Sequence, residues 1–402
     1  MVRYLRAANV KDGKLDLQDV QSMNFTPAEQ EIFSLKPGDV LVTEGSGSLN
    51  SVGASAVWNG ELDGPVCFQN TLLRLRPRTG VDGRFLLWWA RSAFSSGLFA
   101  SIASGANIYH LSAERVRSLP VQLPPLEGQR RIADFLDAET SRIDKLNLSR
   151  QSQLSALEER ELAVIGDMLS GGSTKETGRP TGWPWLPYIP KEWSIGPVYA
   201  YFSTELGKML NADRAAGKNQ KPYLRNANVH WYEIDTSDIA TMSFSSEEVK
   251  RYSILPGDLM VCEGGAGVAE AAVWDGQIEE CYFQKSLHRV RRSGSVPVEW
   301  LMYWLRFAKS CGVFEAEGNI ATIPHLTGEQ LRQYRIPIPV NGDELVQKTK
   351  KLIKAMTGVR AALTQAQTLL AERRQTLITA AVTGQFDVST ASGRGVMEGI
   401  TA

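Results

Sequence analysis

Tyr4-Leu5-Arg6-Ala7-Ala8-Asn9-Val10 returns further along the chain as Tyr223-Leu224-Arg225-Asn226-Ala227-Asn228-Val229, at an offset of 219 residues (225 − 6). Lys36-Pro37-Gly38-Asp39 returns at the same offset as Leu255-Pro256-Gly257-Asp258, and Glu44-Gly45 as Glu263-Gly264. Ala56-Val57-Trp58 matches Ala272-Val273-Trp274. Phe68-Gln69 matches Phe283-Gln284, where the offset has fallen to 215 (283 − 68). Trp89 and Arg91 match Trp304 and Arg306, His110-Leu111 matches His325-Leu326, and Leu123-Pro124 matches Ile338-Pro339. So small a drift means two copies of one fold with minor loop changes. The period is far longer than the roughly 20–50 residues of a solenoid unit.

Each copy reads as a mixed α+β domain. Asp39–Thr43 and Asp258–Cys262 follow a Pro-Gly turn and have the apolar run of a buried strand. Ala56-Val57-Trp58 and its partner precede Asn59-Gly60 and Asp275-Gly276, both hairpin-turn dipeptides. Phe68–Leu75 and Phe283–Val290 supply further strands. One amphipathic helix per copy is expected over Phe85–Phe99 and Trp300–Phe314. A short second one is expected over His110–Val116 and His325–Leu331.

A long helical pattern follows each copy. Ile132, Leu136, Ile143, Leu146, Leu157, Val164 and Met168 sit at heptad-compatible spacings in the first, interrupted by Glu139, Arg150 and Gln153. In the second the expected seam is Leu352, Met356, Val359, Leu363, Ala366, Leu370 and Leu377. Alternating steps of four and three are what a coiled-coil seam requires. The expectation is two long helices pairing as an antiparallel coiled coil. A surface helix on a globular domain is the alternative, but such helices are usually much shorter. Between them, Gly171 to Gly182 reads as a flexible linker, followed by the Pro/Trp-rich run Trp183–Pro190.

The 402 residues carry 44 Lys+Arg and 44 Asp+Glu, a net charge of zero. A free-standing nucleic-acid binder usually shows a basic surplus, so phosphate contacts would need a local basic face or a basic partner. No stretch is apolar and long enough to cross a membrane, and no signal peptide is visible. Cys67, Cys262, Cys281 and Cys311 form no close-spaced pair, which argues for reduced thiols, a cytoplasmic setting and no metal site.

Catalytic motifs are missing. Glu263-Gly264-Gly265-Ala266-Gly267 is not followed by Gly-Lys-Ser/Thr and reads as a glycine turn between strands rather than a phosphate loop. There is no Gly-x-Ser-x-Gly, no His-Glu-x-x-His and no Asn/Asp-Pro-Pro-Tyr/Phe. His110 and His325, before the expected helix starts, suit capping or packing, with a phosphate or base contact as the other reading. Arg6, Arg74 and Arg91 recur as Arg225, Arg289 and Arg306. If two copies read different sequences, residues shared by both belong to scaffold or DNA backbone. Residues that differ are the better candidates for reading bases: Ser46, Ser48, Asn50, Asn70, Asn107 and Tyr109 in the first copy, Lys285 and Thr322 in the second.

Ile189-Pro190-Lys191-Glu192-Trp193 opens the second copy, and Ile336-Pro337-Ile338-Pro339 closes it. Leu123-Pro124-Pro125-Leu126-Glu127-Gly128-Gln129 closes the first, and Glu372-Arg373-Arg374-Gln375 with Leu377–Gly384 ends the second long helix. In order and in their duplication these stretches resemble the specificity subunits of type I restriction-modification systems. The resemblance implies target-recognition domains at residues 1–126 and 187–340 and spacer helices at 127–170 and 341–384. It leaves a flexible linker at 171–186 and a mobile tail at 385–402. It implies a non-catalytic chain that reads a split sequence in double-stranded DNA. It further implies two modification (methyltransferase) subunits and a restriction (endonuclease/translocase) subunit as partners. S-adenosylmethionine, ATP and Mg then bind in those partners and no cofactor binds this chain. One departure is visible: Pro187 to Pro222 precede Tyr223 with no counterpart in the first copy, so the first domain is expected to be N-terminally shortened relative to the second. A coiled-coil adaptor that binds only proteins, which neutral charge favours, and an enzyme with tandem catalytic domains are the competing readings.

Overall fold

The computed structural model describes residues 1–46, 51–105, 109–210, 215, 217–316 and 325–388. It divides into two compact units, Met1–Ser152 with Leu363–Ala402, and Gln153–Ala362.

The two copies have matching sheets. In the first, Val2–Leu5 lies between Gln21–Met23 (antiparallel) and Val66–Phe68 (parallel). In the second, Gln220–Leu224 lies between Ala240–Ser243 and Tyr282–Phe283 in the same senses. Asp39–Thr43 is flanked by Ser55–Trp58 and Leu72–Leu75, and Leu259–Cys262 by Ala271–Val273 and Leu287–Arg292, all antiparallel. The Pro-Gly-Asp turn that starts these central strands works identically in both. Gly38 and Gly257 sit at φ 91° and 92°, which favours glycine. The buried Asp39 carboxylate accepts from Lys36 N and takes a bidentate pair from Arg76 at 2.7 and 2.6 Å. Asp258 does the same with Leu255 N and Arg291.

The expected amphipathic helix is two in each copy, Gly83–Ser95 with Leu98–Ile102 and Val298–Ser310 with Val313–Ala316. The break falls at Gly97 (φ 77°) and Gly312 (φ 73°), left-handed positions that end a helix. The short later helices run Ala113–Arg117 and Gly328–Gln333, and their N-caps are Ser112 and Thr327 rather than the histidines. Residues 171–186 are not a free linker. Gly178–Trp183 pairs with Leu186–Pro190 as a hairpin, Trp183 stacks on Trp185, and Trp185 packs edge-on against Trp304. Nor is the start of the tail loose. Phe386 packs on Phe135, and Val388 lies against the first core.

Leu126–Ser170 and Gly342–Val382 are continuous helices of 45 and 41 residues. Ends of both enter the core of each copy. Ile132, Ala133, Leu136, Ile378, Ala381 and Val382 pack with Phe85, Trp88 and Trp89. Ile165, Met168, Leu169, Val346 and Ile353 pack with Trp300, Tyr303 and Trp304. In the first unit Phe135 meets Phe386, and Ile143 meets Leu377. Numbers rise along one helix as they fall along the other, so the helices run antiparallel.

The seam differs from the apolar one expected. Along the second helix the buried and half-buried stripe is Val346, Thr349, Ile353, Met356, Arg360, Leu363, Gln367, Leu370, Arg374, Leu377 and Ala381, an unbroken alternation of three and four. Met356, Leu363, Leu370 and Leu377 belong to it. Leu352 and Val359 do not; they are 44% and 50% exposed, and Leu146 of the first helix, expected in its seam, is 40% exposed. The facing stripe is Ala133, Leu136, Thr140, Ile143, Asn147, Arg150, Leu154, Leu157 and Glu161. The two arginines in the seam have acidic partners there: Arg360 donates to Glu161 at 2.6 Å, and Arg374 lies 3.6 Å from Asp144.

Glu161 is the hub of the second unit. Its carboxylate, 1% exposed, also accepts from Arg306 Nε at 3.1 Å and Tyr232 Oη at 2.7 Å. Burial pushes this carboxyl up, but hydrogen bonds from Arg360, Tyr232 and Arg306 outweigh burial and hold it below the usual carboxylate range. Tyr232 adopts φ 70°, a conformation its first-copy counterpart Gly13 (φ 78°) takes without strain. There Arg91 pairs instead with Asp12 at 3.1 and 3.0 Å.

Two outcomes are expected from unfolding measurements. Leu377→Ala should cost about 2–5 kcal/mol as a buried truncation. Leu352→Ala and Val359→Ala should stay within about 0.5 kcal/mol; equal losses at all three would contradict the seam. Glu161→Gln should destabilise at neutral pH because Arg360 loses its charge partner and Arg306 keeps only Glu158. Glu161 has a depressed native pKa, so its contribution is full above the ordinary carboxylate range and lost as pH falls through the native value. The gap between variant and parent should therefore close in acid, which thermal melts against pH would read.

Candidate nucleic-acid interface

Four stretches far apart in sequence meet in each copy. In the first, Glu44 N donates to Thr71 O at 2.9 Å and Leu111 N donates to Glu44 O at 2.7 Å. Ala7 N donates to Thr71 Oγ1 at 3.2 Å, and Tyr109–His110 pairs with Gly45–Ser46. In the second, Glu263 N donates to Ser286 O at 2.9 Å and Leu326 N donates to Glu263 O at 2.6 Å. Asn226 N donates to Ser286 Oγ at 3.2 Å, and Gly264 bridges to His325. A glycine follows each glutamate because the histidine ring lies over it. A Cβ on Gly45 would stand 3.2 Å from His110 Nδ1, and one on Gly264 would stand 2.9 Å from His325 Cε1.

On this common frame the side chains differ. Ala7 faces Asn226 across the comparison, Asn70 faces Lys285, and Thr71 faces Ser286. Asn70 and Lys285 are exposed. Asn226 Nδ2 donates to Gly264 O at 2.6 Å, while its buried Oδ1 accepts nothing among the described residues. Lys285 N donates to Lys208 O, and Lys208 N to Phe283 O, so Lys208 carries the neighbouring stretch. The Lys208 side chain is buried, lies over Phe244 and bonds Glu248 at 2.6 Å. Burial would raise the Glu248 carboxyl, but hydrogen bonds from Lys208 and Ser245 bring it down to about 2. The half-buried Glu44 carboxyl is pushed up by burial, opposed by His110.

The recurring arginines all have protein partners. Arg6 pairs with Asp19 and Arg225 with Asp238. Arg74 donates to the carbonyls of Ile32 and Ser34, and Arg289 to those of Arg251 and Ser253. Arg91 and Arg306 are held by Asp12 and by Glu158 with Glu161. Asn9 and Asn228 are buried and saturated, each accepting from the arginine N three residues earlier and donating to two carbonyls. Of the divergent positions, Tyr109 is half-buried against the first core, and Ser46 is described by its backbone alone. Ser48, Asn50, Asn107 and Thr322 lie outside the described residues. Asn226, Ser286 and Lys208 are additions. Asn226 was findable, because it is the one polar departure from Ala7 inside the stretch that reveals the repeat. Lys208 lies ahead of the repeat and carries no such signal. Among the described residues there is no cluster placed to hold a metal ion, and no helix long and apolar enough to cross a membrane.

Residues 8–156 match the family described as the type I restriction modification DNA specificity domain. The chain is similar to specificity subunits of type I restriction enzymes. Over 259 residues it is 25% identical to the Type I restriction enzyme EcoKI specificity subunit of Escherichia coli (strain K12), covering 64% of this chain and 53% of that protein. Over 172 residues it is 26% identical to the StySPI specificity subunit of Salmonella potsdam, covering 42% and 36%. The chain thus spans about half the length of the first of these relatives. The fold is that of a chain from the structure of complex assembly and conformational transition of the type I R-M system. The TM-score is 0.71 at 18% identity, over 96% of this chain and 92% of that one. The HsdS subunit from Thermoanaerobacter tengcongensis is similar at a TM-score of 0.51, 18% identity and 96% and 91% coverage.

Proposed function

We propose that this chain reads a bipartite sequence in double-stranded DNA, one half per copy, as the non-catalytic subunit of a type I restriction-modification complex in the cytoplasm. The observation that carries the reading is a single backbone frame built twice and furnished differently: Ala7, Asn70 and Thr71 on one, Asn226, Lys285 and Ser286 on the other. Lysine suits guanine O6 and N7, and an amide suits adenine N6 and N7. The arginines held by protein partners keep the frame in shape and leave discrimination to the side chains that differ. With zero net charge, the phosphate contacts that set affinity come largely from partners. Those partners are two modification subunits, which bind S-adenosylmethionine, and a restriction subunit, which uses ATP and Mg. The long helices are the surface on which the modification subunits assemble.

The test is a specificity profile across randomised half-sites, measured on the chain assembled with its modification subunits. Lys285→Ala and Asn226→Ala should each change preference in one half-site only, by about 1–3 kcal/mol for a lost base contact. Arg225→Ala should lower the melting temperature and leave base preference unchanged. A uniform loss of affinity from Lys285→Ala, or a base change from Arg225→Ala, would contradict the assignment. The purified chain alone should turn over neither S-adenosylmethionine nor ATP and should not cut DNA.

A further inference from the structure

The second copy contains a cavity of about 360 Å³ whose walls include Trp183, Trp185, Trp304, Gln330, Tyr334 and Arg335. One side of it is aromatic. Trp183 and Trp185 are stacked at 6° between planes, Trp185 meets Trp304 edge-on at 5.9 Å, and Trp304 meets Tyr334 at 5.4 Å. A volume of this size accommodates a small ligand.

The polar groups at this cavity are donors. Trp304 is 1% exposed, yet its Nε1–H has no acceptor among the described residues. Its equally buried neighbour Trp300 shows the ordinary arrangement, donating from Nε1 to Pro337 O at 2.8 Å. Buried indole N–H groups normally find an acceptor, so the one left over marks a place where an acceptor belongs. Gln330 commits its Oε1 to Thr327 N at 2.9 Å and to Thr327 Oγ1 at 3.0 Å, which leaves its Nε2 to donate elsewhere. The Arg335 guanidinium makes one long bond, to Ile195 O at 3.3 Å, and has no carboxylate partner among the described residues. Nor does any carboxylate side chain among the described residues line the cavity.

We propose that this cavity binds a carboxylate carried on an aromatic body. The ring lies against the indoles of Trp183, Trp185 and Trp304, since aromatic surfaces favour one another in offset or edge-on contact. The carboxylate accepts from Arg335, whose planar fork matches it, and from the orphaned Trp304 N–H. Arg335 disfavours a cationic ligand, and a purely apolar one would leave the Trp304 donor unpaired. Two sources have this chemistry: a free aromatic acid, and the C-terminus of a polypeptide that ends in an aromatic residue. This inference is independent of DNA recognition.

The probes are naphthoate and a short peptide ending in phenylalanine with a free carboxylate, each titrated into the full chain with isotope-labelled tryptophan indoles. Saturable one-to-one binding of at least one acid is expected, moving the Trp304 indole N–H resonance downfield while the Trp300 resonance stays in place. Whichever acid binds more tightly identifies the source. Naphthylmethylamine, the cationic counterpart, should bind at least about tenfold more weakly than naphthoate, a difference of about 1.4 kcal/mol. Arg335→Gln should weaken binding of the acid by a similar factor. Arg332→Gln, at a residue outside the cavity lining, should leave it unchanged. No saturable binding of either acid, as when water alone satisfies the Trp304 donor, overturns the proposal. Equal affinity for the amine, equal affinities for Arg335→Gln and the parent, or a Trp304 resonance that does not respond would overturn it too.

Discussion

Neither copy closes its hydrophobic core with its own domain residues. The first core needs Ile132, Ala133 and Leu136 from one long helix and Ile378, Ala381 and Val382 from the other. The second takes Ile165, Met168 and Leu169 from one and Val346 and Ile353 from the other. Burying a side chain of this size is worth about 1.5–3 kcal/mol, and total stability is only about 5–15 kcal/mol. Each domain is therefore committed to the helix pair. For the first unit this ties residues near the start of the chain to residues close to its end. Such contacts are long-range and slow to form.

The polar seam positions follow from the same commitment. Arg360 at a seam site is tolerable only opposite a carboxylate, and Glu161 is there. Sliding either helix by a heptad would bury the guanidinium against an aliphatic side chain. Buried ion pairs seldom add much net stability, because desolvation offsets attraction, but an unpaired one is costly. The pair thus selects one register among several that the apolar residues alone would permit. Glu161 adds a second function by holding Arg306 and Tyr232, which fastens the domain helix Val298–Ser310 to the long helix.

How much of this was legible in the sequence depends on what made a residue visible. The duplication, the mixed α+β domains, the Pro-Gly-Asp turns and the two long helices were readable, because each rests on local patterning repeated at a constant offset. The seam was half readable. Met356, Leu363, Leu370 and Leu377 are apolar and belong to it, but a search for apolar steps prefers Val359 to Arg360, since nothing local shows that Glu161 will face the arginine. Residues 171–186 look like a linker by composition, yet Trp183 and Trp185 have a tertiary surface to cover. The break in each domain helix is not legible in the hydrophobic pattern, because Gly97 and Gly312 end the helix through a left-handed backbone, φ 77° and 73°, rather than through a change of side chain. At the candidate interface, Lys285 and Asn70 stand out as candidates because the two copies differ there. Asn226 is masked because it sits within the stretch where the two copies agree best.

One frame presented twice with different side chains is a means of reading two unrelated half-sequences without evolving two folds. The most direct test is selection from a pool of randomised duplexes by the chain assembled with the modification subunits proposed for it, followed by sequencing of the bound fraction. The account predicts two separate motifs that differ from each other, held at a fixed spacing by bases that carry no preference. A single contiguous motif, or no enrichment above the starting pool, would contradict it.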